Sequence, residues 1–340
     1  MATDFAVFLR RFLTGHLAGL RGCSPNTIAS YRDTFKLLIS WFRDERQVPP
    51  GKLTLDRIDA AAVTGFLNWL ETERHNSIST RNQRLAAISS FCTWMQTQDP
   101  ARMACWQNIL AIPAKKQARP ALSHLTAGQA RRLLAQPDRC RYCAEVPLRH
   151  LIMPVLFRTI YACGLRASEA RLLRAGDVDT GAGVLQLRDA KGGKDRQVPV
   201  SAPLRERLAD YHAHLLGRPG GDWFFPGTSG QPLTPGNIDK NFRRFLWQAR
   251  IPHGGRGHGP RVHDLRHAFA VNNLRSWFAR GEDVGALLPV LQAYMGHSSI
   301  ADTAYYLRLT AESYPHINAQ VQHVIGDVVP PVTAGPSRGD

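Results

Sequence analysis

Apolar residues recur three and four positions apart along most of the chain, so the dominant pattern is that of amphipathic helices. Phe5, Phe8, Leu9, Phe12 and Leu13 open the series. Ser24-Pro25-Asn26-Thr27 then reads as a helix start, a hydroxyl N-cap followed by proline at the first helical position. Ile28, Tyr31, Phe35, Leu38, Ile39 and Phe42 follow at helical spacing. Further helices are predicted over residues 60–73 and 79–95, the latter with Leu85, Ile88, Phe91 and Cys92 on one side. The first 110 residues or so therefore read as helical throughout.

Residues 112–120, Ile-Pro-Ala-Lys-Lys-Gln-Ala-Arg-Pro, break the pattern. A basic, proline-bounded stretch poor in apolar residues predicts an interdomain linker, either laid along a polyanion or simply a solvated tether. Beyond it, helices are predicted over 128–134 with Thr126 as cap, 148–163 ended by Gly164, 203–216, 238–249, 260–280 stopped by Gly281, and 284–294 closed by Gly296. Ser299 and Asp302 form a small capping pattern before one more helix. The clear β signal is a hairpin: residues 184–188 and 196–200 alternate apolar and polar positions around a turn holding Gly192 and Gly193. The tail from residue 327 is rich in Pro, Gly and Ser and predicts disorder. The fold class expected is mainly α with a small antiparallel β-sheet, in two domains as the 340-residue length suggests.

Charge narrows the partner. Lys plus Arg number 43 against 27 Asp plus Glu, a formal net charge of +16. An excess carried largely by arginine suits phosphate, so nucleic acid is the expected partner rather than a merely solvated basic surface. No run of 18 uninterrupted apolar residues predicts a membrane span. Asp4 and Arg10-Arg11 spoil a signal-peptide layout, so the six cysteines are expected as reduced thiols in a cytoplasm. Cys140 and Cys143 form one CxxC near His150, but no second ligand pair follows and no metal is expected there.

Four short motifs carry chemistry. In Gly164-Leu165-Arg166-Ala167-Ser168-Glu169, an arginine at a helix junction is either a phosphate ligand or half of an ion pair with Glu169. Lys191, in Lys-Gly-Gly-Lys, sits at a hairpin tip; it is a proton donor reaching into a groove or a lysine kept for solubility. His263-Asp264-Leu265-Arg266-His267 puts an imidazole and a guanidinium on one face of a helix start, which is either a cradle for an anion or a surface helix with ordinary polar residues. Met295-Gly296-His297-Ser298 is followed by Tyr305-Tyr306; a tyrosine there is either a nucleophile for phosphorus, where cations stabilise its anion, or a core-packing residue. Adjacent tyrosines on a helix point about 100° apart, so only one can face such a pocket.

Gly-Leu-Arg-Ala-Ser-Glu, the Lys-Gly-Gly-Lys-Asp-Arg hairpin, His-Asp-Leu-Arg-His and Met-Gly-His-Ser with a tyrosine nine residues beyond the histidine occur in that order. Together they resemble the tyrosine recombinase (phage integrase) family over residues 122–320; the first hundred residues resemble its helical core-binding domain more loosely. The resemblance implies a helical core-binding, DNA-binding domain at 1–111, a basic linker at 112–121, an α+β catalytic domain at 122–326 and a tail at 327–340. It implies that Arg166 and Arg266 hold the non-bridging oxygens of the scissile phosphate. Lys191 would protonate the leaving 5′-oxygen, His263 would manage protons and touch the phosphate, and His297 would hydrogen-bond it. Glu169 would orient its neighbours, and Tyr306 would be the nucleophile.

No metal-type carboxylate cluster accompanies these residues and no GxxxxGK[ST] loop is present, so no cofactor is expected. The expected partners are double-stranded DNA recombination sites and three further copies of the chain. The tetramer would be joined by exchange of a helix at 310–325, and accessory proteins are unspecified. Arg21, Arg32, Arg81, Arg84, Lys115, Lys116, Lys194 and Arg196 are candidate DNA contacts. The competing readings are a type IB topoisomerase and a non-catalytic DNA-binding protein of the same fold.

Overall fold

The computed structural model describes residues 3–116, 125–188, 195–215, 222–255 and 259–310. The chain divides into two compact units, residues 1–120 and 121–340.

In the first unit, α1 (Asp4–Arg10) runs on into a π-helical stretch at Arg11–Leu20. It is followed by α2 (Pro25–Glu45), α3 (Ala60–Thr72), α4 (Ile78–Gln98) and α5 (Met103–Leu110). The caps follow from residue type. Ser24, Asp59 and Ser77 each accept an N–H of the first turn, satisfying a donor the helix cannot. The apolar stripes meet in an aromatic core, where Phe91 lies 5.3 Å from both Phe12 and Phe35, ring centre to ring centre.

Two arginines expected on the DNA side belong to this packing. Arg81 stands in the inward stripe with Leu85 and Ile88 and is only 4% exposed. Its Nη1 donates to the Pro113 carbonyl at 3.0 Å. Arg84 donates to the Ser30 carbonyl and the Thr34 hydroxyl of α2. Arg84 ties α4 to α2, and Arg81 ties α4 to the segment after α5. Asn82 bonds both the N–H and the carbonyl of Lys115, whose ammonium pairs with Glu71. Residues 113–115, the start of the predicted linker, are thus pinned to the first unit. Arg21, Arg32 and Lys116 are exposed.

The second unit holds α6 (Ala127–Leu134), α7 (Arg149–Ala162) and α8 (Ala167–Arg171). A sheet follows, ordered β1 (Val178–Asp179), β2 (Val184–Leu187), β3 (Arg196–Pro199) and antiparallel throughout. Next come α9 (Ala202–Leu215), α10 (Pro235–Gln248), α11 (His263–Ala279), α12 (Val284–Met295) and α13 (Ile300–Ala304), which tightens into a 3₁₀ turn at Tyr305–Leu309. β1 is an addition to the predicted hairpin; two residues are too few to leave an alternating pattern. Leu185 of β2 pairs with Val178 and Val198 and buries fully. The core centres on α7, whose Ile152, Met153, Leu156, Phe157 and Ile160 are buried. A smaller cluster joins Val271 and Leu274 of α11 to Leu291 and Met295 of α12 and to Tyr306. This arrangement brings the end of α7, the start of α11 and the end of α12 to one place. The hairpin tip with Lys191 and Lys194, the segment 311–325 and the tail lie outside the described residues.

Candidate active site

Glu169, in the first turn of α8, is a hub for cations. Its carboxylate accepts the Arg166 backbone N–H at 2.8 Å and Arg166 Nη1 at 2.6 Å. It also accepts both terminal nitrogens of Arg196 at 3.0 Å, a fork-on-fork pair. Arg266 Nη1 lies 3.9 Å away. The guanidinium groups are further held by carbonyls at helix C-termini, which have no partner within their helices and carry negative dipole ends. Arg266 donates to Gly164 at 2.6 Å, beyond α7, and to Met295 at 2.7 Å, in α12. Arg166 donates to Gly296 at 3.1 Å and Arg196 to Tyr294 at 3.1 Å.

The cluster is buried, with Arg266 at 1% exposure. Burial pushes the Glu169 carboxyl up, but hydrogen bonds from Arg196 and the Arg166 N–H, with the charges of both arginines, more than reverse this and leave it below its ordinary value. Burial and the neighbouring Arg166 charge push Arg266 down to about 10, so it stays protonated at neutral pH. Three guanidinium groups against one carboxylate leave net positive charge in a poorly solvated place, the electrostatic condition for an anion site.

Tyr306 lies on the 3₁₀ turn after α13 and is 3% exposed, whereas Tyr305 is half-buried. The Tyr306 hydroxyl sits 2.9 Å from His267 Nδ1. His263, one turn earlier on α11, packs edge-on against His267 with ring centres 4.6 Å apart and reaches solvent. The His297 ring lies nearly parallel to Tyr306 at 6.0 Å, its Nδ1 fixed 2.8 Å from the hydroxyl of the fully buried Thr303. Burial raises the Tyr306 pKa, and the Arg266 and Arg166 charges offset only part of it. Burial, His263 and nearby arginines push His267 down to about 3. Burial and the Arg266 and Arg166 charges push His297 down to about 4. Both imidazoles are therefore neutral, and His267 Nδ1 shares a hydrogen bond with the tyrosine hydroxyl.

These depressed values have a consequence for stability. The unfolded chain protonates its histidines below pH 6.5, while the folded site resists until about 3 for His267 and about 4 for His297. Stability is complete above 6.5 and falls with pH through that window. Between pH 7 and pH 5 the His267 contribution alone amounts to roughly 2 kcal/mol. Urea midpoints measured at the two pH values should show the loss, and His267→Asn should reduce it.

Comparison with known proteins agrees with this geometry. Residues 123–313 match the Phage integrase family and residues 9–99 the Phage integrase N-terminal SAM-like domain. The putative integrase/recombinase y4rC of Sinorhizobium fredii is 32% identical over 90% of this chain and 88% of that protein. The chain belongs to the phage integrase family. It is a tyrosine recombinase. The tyrosine recombinase XerC of Rhodospirillum centenum is 30% identical, over 86% of this chain and 80% of its own. Among solved structures, XerH site-specific recombinase on a difH substrate shares the fold with TM-score 0.65 and 20% identity, covering 89% and 82% of the two chains. The lambda integrase tetramer bound to a Holliday junction does so with TM-score 0.62 and 17% identity, covering 90% and 77%.

In this recombinase the fold gathers Arg166, Glu169, His263, Arg266, His297 and Tyr306, which the sequence motifs name separately. Arg196 is corrected: it is a buried partner of Glu169 with 11% side-chain exposure, and not a DNA-facing residue of the hairpin. The reason is register, because β3 places position 196 opposite Leu187 and against the end of α12. Two site residues were missed. His267 follows His263 by one helical turn, a spacing that was legible; Thr303 left no signal, since a buried threonine in a short helix resembles any other.

Gly296 shows how tightly the cage closes. It ends α12 in the left-handed region at φ +66°, and a Cβ there would lie 2.7 Å from Arg196 Nη1. Gly296→Ala should destabilise the recombinase by about 1–2 kcal/mol from backbone strain alone, seen as a lowered melting temperature, with the displaced Arg196 adding to it.

Proposed function

We propose that this recombinase cuts and rejoins DNA at a specific site through a 3′-phosphotyrosyl intermediate formed by Tyr306. The Tyr306 oxygen forms the bond to phosphorus while the bond from phosphorus to the 5′-oxygen breaks. The tyrosine proton passes to His267 Nδ1, and Lys191 supplies a proton to the leaving 5′-oxygen, an assignment that rests on its motif. Arg166 and Arg266 neutralise the equatorial oxygens, and His263 and His297 hydrogen-bond them. Each guanidinium has five N–H donors, so those bound to carbonyls and Glu169 leave others for phosphate. Phosphoryl transfer asks the protein chiefly for such positioning and charge. The phosphotyrosyl ester conserves the bond, and a 5′-hydroxyl of a second duplex reverses the step on a new strand.

The observation that carries this reading is the hydroxyl of a buried tyrosine held on a neutral imidazole within an arginine cage. Exchange between two duplexes calls for four active sites, so the working form is a tetramer on paired sites through a Holliday junction. The segment 310–325 would join neighbouring copies. Such an enzyme works in the cytoplasm, on the nucleoid.

The test uses DNA nicked beside the site found by footprinting. The wild type should leave a protein–DNA adduct stable to detergent and sensitive to protease. No adduct on any footprinted site would overturn the proposal, and relaxation of plasmid lacking such sites would move it to a topoisomerase. Affinity should fall steeply with salt, with a slope of about −0.9 per phosphate contacted.

A further inference from the structure

The start of α7 carries a second cationic cluster, remote from the cage at its end. Arg139, Arg141, Arg149 and Arg244 line one hollow, with Tyr142 and Gln248 beside them and no carboxylate in its lining. Among the described residues none of these arginines has an ion pair. The neighbouring acids are bonded to other groups: Asp138 pairs with Arg158 and Arg207, and Glu145 takes the Cys143 thiol at 2.6 Å, with the Arg149 charge acting on it without an ion pair. Arg149 is the first residue of α7, where its charge opposes the positive end of the helix dipole. No side chain caps that N-terminus. The Arg149 Nε is buried with no hydrogen-bond partner among the described residues, as is His150 Nδ1. Like charges gathered at an uncapped helix start, with a buried donor unspent, are what an anion would resolve.

We propose that this hollow is a second phosphate site, one that grips a backbone phosphate of the bound duplex away from the point of cleavage. The inference rests on the proposed DNA substrate. Guanidinium forks match phosphate oxygens two by two, which favours phosphate over a carboxylate ligand. The fold also sets a distance. α7 has 14 residues and the catalytic Arg166 lies just past its far end, so the two anion sites stand about 20 Å apart along the helix. α7 thus sets the spacing between the cleaved phosphate and a gripped one. A free polyphosphate would use the same chemistry, and the experiment separates the two sources.

The full-length Arg149→Gln/Arg244→Gln protein is compared with wild type, alongside Arg139→Gln/Arg141→Gln, which alters only exposed residues outside the α-helices. DNA affinity is measured across a salt series, and melting temperature with and without pyrophosphate. Each double variant should bind footprinted DNA at least ~10-fold more weakly and lower the magnitude of the salt slope by about 1–2. Both should still form the phosphotyrosyl adduct at saturating protein, which shows that they fold and keeps this test separate from that of the cleavage reaction. Wild-type affinity and slope in both variants would overturn the DNA assignment. If pyrophosphate then stabilises wild type and not the variants, the phosphate site stands with a free polyphosphate as its ligand. If it stabilises neither, the site is refuted.

Discussion

Tyr306→Phe should bind recombination-site DNA like the wild type and yield no covalent adduct, while Tyr305→Phe should retain adduct formation. The two side chains are neighbours in sequence, and the 3₁₀ turn separates their fates. Tyr306 turns inward to 3% exposure, with its hydroxyl on His267, and Tyr305 stays half-buried. The substitution removes one oxygen and leaves the ring in the cluster with Val271 and Met295. Any loss therefore reports chemistry and not folding. With the Tyr306 hydroxyl as the proposed nucleophile, the loss of adduct should be complete. A gel of nicked substrate after detergent treatment reads it directly. An adduct with Tyr306→Phe and none with Tyr305→Phe would transfer the role to Tyr305. His267→Asn should sit between, slowing adduct formation by about 10²–10⁴-fold as expected for removal of a proton acceptor.

The helices were legible because their apolar period and their caps are written locally. Thr126 with Gln129, Ser24 with Pro25, and Gly164, Gly281 and Gly296 at positive φ mark the boundaries that the chain adopts. The residues that the fold gathers at the cage were legible through motif order, since spacing along the chain survives where three-dimensional contact is invisible. What did not show in the sequence depends on long-range burial. Arg81 and Arg196 read as surface charges because arginine ordinarily is one. Their roles come from carbonyls 32 and 98 positions away. The same applies to Thr303, whose hydroxyl matters only because α13 brings it under His297.

Glu169→Gln should be the most damaging change to stability. One carboxylate with 6% side-chain exposure holds Arg166 and Arg196 and stands 3.9 Å from Arg266. An amide removes the one carboxylate that offsets them among the described residues, and its NH₂ group faces donors. Breaking a buried pair in this way costs about 3–5 kcal/mol, which for a unit of this size lowers the melting temperature by on the order of 10 °C. The pH dependence gives an independent reading. Because the folded carboxyl lies below its ordinary value of 4.5, its contribution is complete above that value and is lost as pH falls through the lower folded one. The variant should therefore lose part of the acid sensitivity of the wild type while keeping that of His267 and His297. DNA affinity should hold or rise, since the cage gains net positive charge, while adduct formation falls as Arg166 and Arg196 lose their common anchor. A variant that unfolds within 1 kcal/mol of the wild type, by urea denaturation at pH 7, would show that the carbonyls of Gly164, Tyr294, Met295 and Gly296 hold the three guanidinium groups without it.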